Sequence, residues 1–142
     1  MAQLLAIDYG TKRCGIASTD DLQLIASALT TLATNDLLPF LKKYCSEQNV
    51  ALIVVGQPKQ MNNTPSESEV HIQQFIEKLH NELPHIPIER YDERFTSKIA
   101  FQTIIDSGIG KKQRQNKALI DEISAVLILQ GYMQWNSKNN QK

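Results

Sequence analysis

Long apolar runs, an excess of one charge and clustered cysteines are all missing from this 142-residue chain. No stretch reaches the ~18 consecutive apolar residues of a membrane helix, and no charged-then-apolar leader is visible, so a cytoplasmic protein without membrane contacts is expected. Fifteen basic residues balance fifteen acidic ones. A strongly charged partner therefore has to be met by a local patch rather than by the chain as a whole. The two cysteines, Cys14 and Cys45, have neither CxxC spacing nor histidine-rich company, which predicts reduced, packed thiols and argues against a zinc or redox site. No internal repeat is visible. What remains, 42% apolar and 21% charged residues, is the balance of a globular protein, and the length suits a single domain over 1–142, monomeric or a weak homodimer.

The first apolar run, Leu4 to Ile7, ends on Asp8 and then Gly10. It reads as a buried strand delivering a carboxylate at its end, or as a hairpin in which Asp8 is a turn residue. Gly10 and Gly15, with Thr11, Lys12 and Arg13 between them, describe a tight turn that lets backbone approach something negative beside Asp8. Cys14–Thr19 and Leu24–Leu32 extend this to a three-strand meander, with turn chemistry at Asp20-Asp21. Thr34, Asn35 and Asp36 offer N-cap side chains for a helix with Pro39 in its first turn and an apolar face of Leu37, Phe40, Leu41, Tyr44 and Cys45. Val50–Val55 is a β-branched run ending at Gly56-Gln57-Pro58, as expected of a strand covered on both faces.

Further on, Thr64-Pro65-Ser66-Glu67 has the pattern of a capping box, opening a helix with Ile72, Phe75, Ile76, Leu79 and Leu83 on one face. Ile88–Tyr91 is a short strand placed at a sheet edge by Pro87. Thr96 to about Asp106 predicts a helix stopped at Gly108-Ile109-Gly110. Leu119–Met133 predicts the last helix, and 136–142 a frayed polar tail. The order is that of a mixed α/β sheet with crossovers, in which strand one lies beside strand four. Asp8 and Gly56-Gln57-Pro58 then meet where connections diverge, the usual place for a site in open α/β sheets.

Asp8, Asp92, Glu93 and Asp121 stand at strand ends or inside apolar runs, whereas Glu67, Glu77, Glu82 and Glu122 have the setting of solvated helix charges. Converging carboxylates repel unless cations sit among them, and oxygen ligands of this kind suit Mg²⁺ or Mn²⁺. Ser124 and Ala125 share a helix face with Asp121 and are small enough to let that helix approach a sheet closely. Strand alternation sends one of Asp92 and Glu93 into such a site and one away, without choosing between them. Lys111, Lys112, Arg114 and Lys117 place four positive charges in one acid-free stretch suited to a phosphate backbone, and Lys12 and Arg13 stand next to Asp8. Tyr9 is free to stack a base or to cover the core.

Four blocks together resemble the YqgF/RuvX family: Ala6-Ile7-Asp8-Tyr9-Gly10-Thr11-Lys12-Arg13-Cys14-Gly15, Val54-Val55-Gly56-Gln57-Pro58, Asp92-Glu93-Arg94-Phe95-Thr96-Ser97, and Lys117 through Ala125. The resemblance covers nearly the whole chain and implies a ribonuclease H-like fold. The expected sheet is five-stranded and mixed, in the order 3-2-1-4-5 with strand 2 antiparallel, flanked by helices. It implies a metal-dependent nuclease maturing the 5′ end of precursor 16S rRNA, with similarity to Holliday junction resolvases. It also selects Glu93 over Asp92, so that Asp8, Glu93 and Asp121 form the acidic triad holding two Mg²⁺ or Mn²⁺ ions. Gln57, where the family commonly has Leu, and Asn62-Asn63, where it has a Gly, depart from the pattern. Other function classes are a branched-DNA resolvase using the same acids, a non-catalytic RNA-binding module using only the basic stretch, and an actin-like ATPase, which requires a second domain that 142 residues do not supply.

Overall fold

The computed structural model describes residues 2–10, 12–20, 22–23, 25–57, 69–92 and 117–140; positions 92, 117–122 and 137–140 are described through their backbone. Five strands and three helices fall within these residues: β1 (Gln3–Asp8), β2 (Arg13–Thr19), β3 (Ala26–Ala33), α1 (Thr34–Glu47), β4 (Val50–Gln57), α2 (Glu69–Glu82), β5 (Ile88–Asp92) and α3 (Lys117–Asn140). The sheet order is β3-β2-β1-β4-β5. β2 runs antiparallel to β1 and β3, whereas β1, β4 and β5 are parallel. β5 is the edge strand that Pro87 predicts.

Alternation along the central strands builds two cores. Leu5 and Ile7 of β1, Cys14 and Ile16 of β2, and Ile53 and Val55 of β4 face one side, where Leu37 and Leu41 of α1 and Ile72, Phe75 and Leu79 of α2 cover them. Leu4, Ala6, Ala17, Val54 and Tyr91 face the other, against Ala125, Ile128, Leu129 and Tyr132 of α3. Coverage on both faces is the reason β1 and β4 read as unbroken apolar runs rather than alternating ones.

Several local expectations change. α1 begins at Thr34 directly after β3, with Ala33 at the N-cap and no capping side chain. Thr34 spends its hydroxyl elsewhere, donating to the Gly10 carbonyl at 2.7 Å. Pro39 consequently lies inside the helix rather than in its first turn. Gly15 is not part of the β1–β2 turn; it lies within β2, opposite Asp8. α3 continues to Asn140, past the end of the apolar pattern at Met133. The capping box at 64–67, the helix at 96–106 and the Gly108–Gly110 stop lie outside the described residues.

Candidate nucleic-acid processing site

Asp8 is the last residue of β1, the middle strand of the sheet. Its position shares the parity of Leu4 and Ala6, which pack against α3, so Asp8 belongs to the α3 face, where its side chain is half-buried. Its cross-strand partner on β2 is Gly15, and the residue after Val55, the β4 partner of Ile7, is Gly56. The two glycines contribute no side chains of their own beside the carboxylate at that level of the sheet. This is the setting in which ions and a phosphate backbone are approached by main chain rather than blocked by side chains.

The turn from β1 to β2 is anchored to α1. Besides the hydroxyl bond to Gly10, the Thr34 amide donates to the Lys12 carbonyl at 3.1 Å. The buried Cys14 thiol contacts the Gly10 carbonyl at 3.7 Å, so its role is packing within this turn. A β-carbon at Gly10 would lie 2.4 Å from the Arg13 carbonyl oxygen, so only glycine fits this backbone path. Lys12 is exposed on the turn, and Arg13 is half-buried at the first position of β2. Tyr9 turns away from the Asp8 face and packs on Phe75 of α2, with ring centroids 5.1 Å apart. Covering the core is therefore its role, and burial, with the nearby Cys14, raises its hydroxyl pKa above the ordinary phenol value.

At the neighbouring end of β4 lies an arrangement that sequence patterning overlooks. Arg90 of β5 donates from Nε to the Val55 carbonyl at 3.1 Å and from Nη2 to the Gly56 carbonyl at 3.0 Å. The same guanidinium grips both carboxylate oxygens of Glu69, the first residue of α2, at 3.0 and 2.8 Å. Gln57 and Gln73 also donate to Glu69, at 3.4 and 3.2 Å. Burial alone would raise the Glu69 pKa, but the hydrogen bond and charge of Arg90 outweigh it and hold the carboxyl below the usual range. The signal available beforehand was Arg90 at a position of the short strand Ile88–Tyr91 that shares the parity of the apolar Ile88, and a glutamine where the related pattern has leucine.

Of the other residues singled out, Asp121 is the fifth position of α3, four residues before the buried Ala125. Lys117 is the first position of that helix. Glu93, Lys111, Lys112 and Arg114 lie outside the described residues. Among the described residues, no three His, Cys, Asp or Glu side chains gather as a metal-binding group, and no helix is long and apolar enough to cross a membrane. His71, His80 and His85 are exposed.

The five-stranded mixed sheet, with α1 and α2 on one face and α3 on the other, is a ribonuclease H-like fold. Thermus thermophilus RuvC in complex with a Holliday junction substrate superimposes with a TM-score of 0.61 over 96% of this chain and 98% of that one, at 11% identity. Thermus thermophilus RuvC in a second structure matches with a TM-score of 0.55 at 13% identity, over 94% and 96% of the two chains. The sequence profile of RuvX, described as a Holliday junction resolvase, matches residues 2–135, and the chain belongs to that family. Curated relatives from Christiangramia forsetii and Flavobacterium psychrophilum, both provisionally named pre-16S rRNA nuclease, are 54% and 56% identical over 133 residues. These alignments take in 94% of this chain and 98% and 97% of the relatives.

Proposed function

We propose that this chain is a metal-dependent phosphodiester hydrolase that processes the 5′ end of precursor 16S rRNA. The observation carrying this reading is the Asp8 carboxylate at the end of the central strand, between Gly15 and Gly56, in a chain more than half identical to proteins provisionally named for that activity. Asp8, Glu93 and Asp121 are the proposed ligands of Mg²⁺ or Mn²⁺, and an all-carboxylate donor set matches the preference of these hard cations for oxygen. Such ions, when bound, supply an activated water and charge stabilisation for the leaving oxygen.

Parity supports this choice of acids. On β5, Glu89 and Tyr91 reach Tyr132 and the α3-side core, the face of Asp8, while Ile88 and Arg90 serve the α2 side. Counted along the sequence, odd positions here share the parity of Glu89 and Tyr91, which is a reason for preferring Glu93 to Asp92 as the proposed ligand. The chain's own cations hold the substrate: Lys12 and Arg13 beside Asp8, and Lys111, Lys112, Arg114 and Lys117 ahead of Asp121. A branched-DNA substrate is the second reading, favoured by the family's description as a Holliday junction resolvase.

Asp8→Asn keeps the side chain's shape and removes the charge the cations require. The variant is expected to fold and to bind nucleic acid, more tightly where carboxylate–phosphate repulsion is relieved, and to lose cleavage. Single-turnover cleavage of labelled precursor rRNA and of a four-way DNA junction, across a Mn²⁺ series and in EDTA, checks this and separates the two substrates. Equal cutting by both proteins, or cutting in excess EDTA, sinks the catalytic reading in favour of a non-catalytic RNA-binding module.

A further inference from the structure

The Glu69–Arg90 pair is a costly device to find at the end of a strand. Its side chains retain only 10% and 20% of their exposure, so both charges have been taken largely out of water. Buried ion pairs of this kind are commonly no more stabilising than apolar residues of the same size, and their best-attested use is to specify geometry. The geometry specified here is local. The planar fork of Arg90 satisfies two successive carbonyls, Val55 and Gly56, where β4 is about to leave the sheet, and its remaining donor capacity goes to Glu69. Gln57, the last residue of β4, reaches the same carboxylate. The end of β4 and the start of α2 are thereby tied to β5 and to each other, at the level of the sheet where Asp8 stands.

We propose that Arg90 and Glu69, with Gln57, are positioning residues of the site: they hold the Gly56 backbone in place beside Asp8, so that the space next to the carboxylate keeps its shape during catalysis. The inference rests on the nuclease reading above for its effect on rate, but its structural half stands independently. The forked shape of the guanidinium matters here, not only its charge, because a lysine offers no rigid pair of donors for two carbonyls and a carboxylate at once.

The test compares wild type with Arg90→Lys and Glu69→Gln, with amide hydrogen exchange as one readout and single-turnover cleavage and nucleic-acid affinity as the other. Exchange at Gly56 and Gln57 is expected to quicken tenfold or more in both variants, while Leu41 in α1 and Leu129 in α3 are unchanged. Cleavage is expected to fall about tenfold at unaltered affinity, a split that a general loss of stability does not produce. If Arg90→Lys lowers the folded fraction, Glu69→Gln, which keeps the side chain's shape but loses its charge and one of the two oxygens that accept from Arg90, decides alone. Unchanged exchange at Gly56 and Gln57 overturns the proposal, and so does loosened exchange with full cleavage by the variants. A wild type that cuts neither substrate overturns the nuclease reading instead, and the exchange readout then still decides whether this network holds the strand end.

Discussion

Replacing Gly131 with alanine sets two effects of known size against each other. A glycine inside a helix costs about 1 kcal/mol relative to alanine, so on an open helix surface the substitution stabilises. Gly131 is not on an open surface. A β-carbon there would stand 2.7 Å from the Tyr91 hydroxyl oxygen and 2.9 Å from two ring carbons. Tyr91 is 9% exposed and belongs to the α3-side core, so its ring is not free to swing away. Overpacking of this kind costs about 1–3 kcal/mol. The balance is a destabilisation of roughly 1 kcal/mol, or a fall in Tm of about 2–6 °C for a domain of this size. In a Tyr91→Leu background the ring is gone, and the same substitution should turn stabilising by up to about 1 kcal/mol. Urea unfolding of wild type, the two single variants and the double variant gives the coupling energy, expected near 2 kcal/mol and of the sign that marks a clash relieved. If Gly131→Ala stabilises both backgrounds equally, α3 is not seated on β5 as described. The stakes reach the proposed site, because Asp121, one of its proposed ligands, lies ten residues earlier on the same helix, about 15 Å along its axis.

Two further outcomes follow from the charges. Changing Lys111, Lys112 and Arg114 to alanine is expected to weaken binding to nucleic acid of any sequence and to flatten the salt dependence by roughly one unit of log–log slope per lost phosphate contact; fluorescence titration over a salt series checks this, and an unchanged slope assigns the stretch to solubility. The Glu69 carboxyl, held below the ordinary value of about 4.3 by Arg90 despite burial, contributes stability that is fully present above that pH and is lost as pH falls through the folded-state value. Urea midpoints measured from about pH 6 down to about pH 3 should therefore fall more steeply for wild type than for Glu69→Gln. Parallel curves would show that the pair does not persist in solution.

What the sequence determined by itself was set by patterns that act over a few residues. Unbroken apolar runs at Leu4–Ile7 and Val50–Val55, helical spacing in α1 and α2, and Pro87 before a short strand were enough to order the elements and to place β1 beside β4 and β5 at an edge. Asp8 was legible as the close of the first strand for the same reason: it ends the apolar run, and β1 ends on it. The helix start at Thr34 was misread because Thr, Asn and Asp all satisfy the local rules for a cap. Only the fold shows that the Thr34 hydroxyl is more useful to the Gly10 carbonyl than to its own helix. Gly15 seemed part of a turn because a glycine's neighbours across the sheet are invisible in one dimension. Tertiary structure alone decided the Glu69–Arg90–Gln57 network, since it joins three separate elements through side-chain geometry and no spacing along the chain encodes it. It likewise decided which face each β5 residue serves. Alternation supplies two faces, but only the packing says which is covered by α1 and α2 and which by α3.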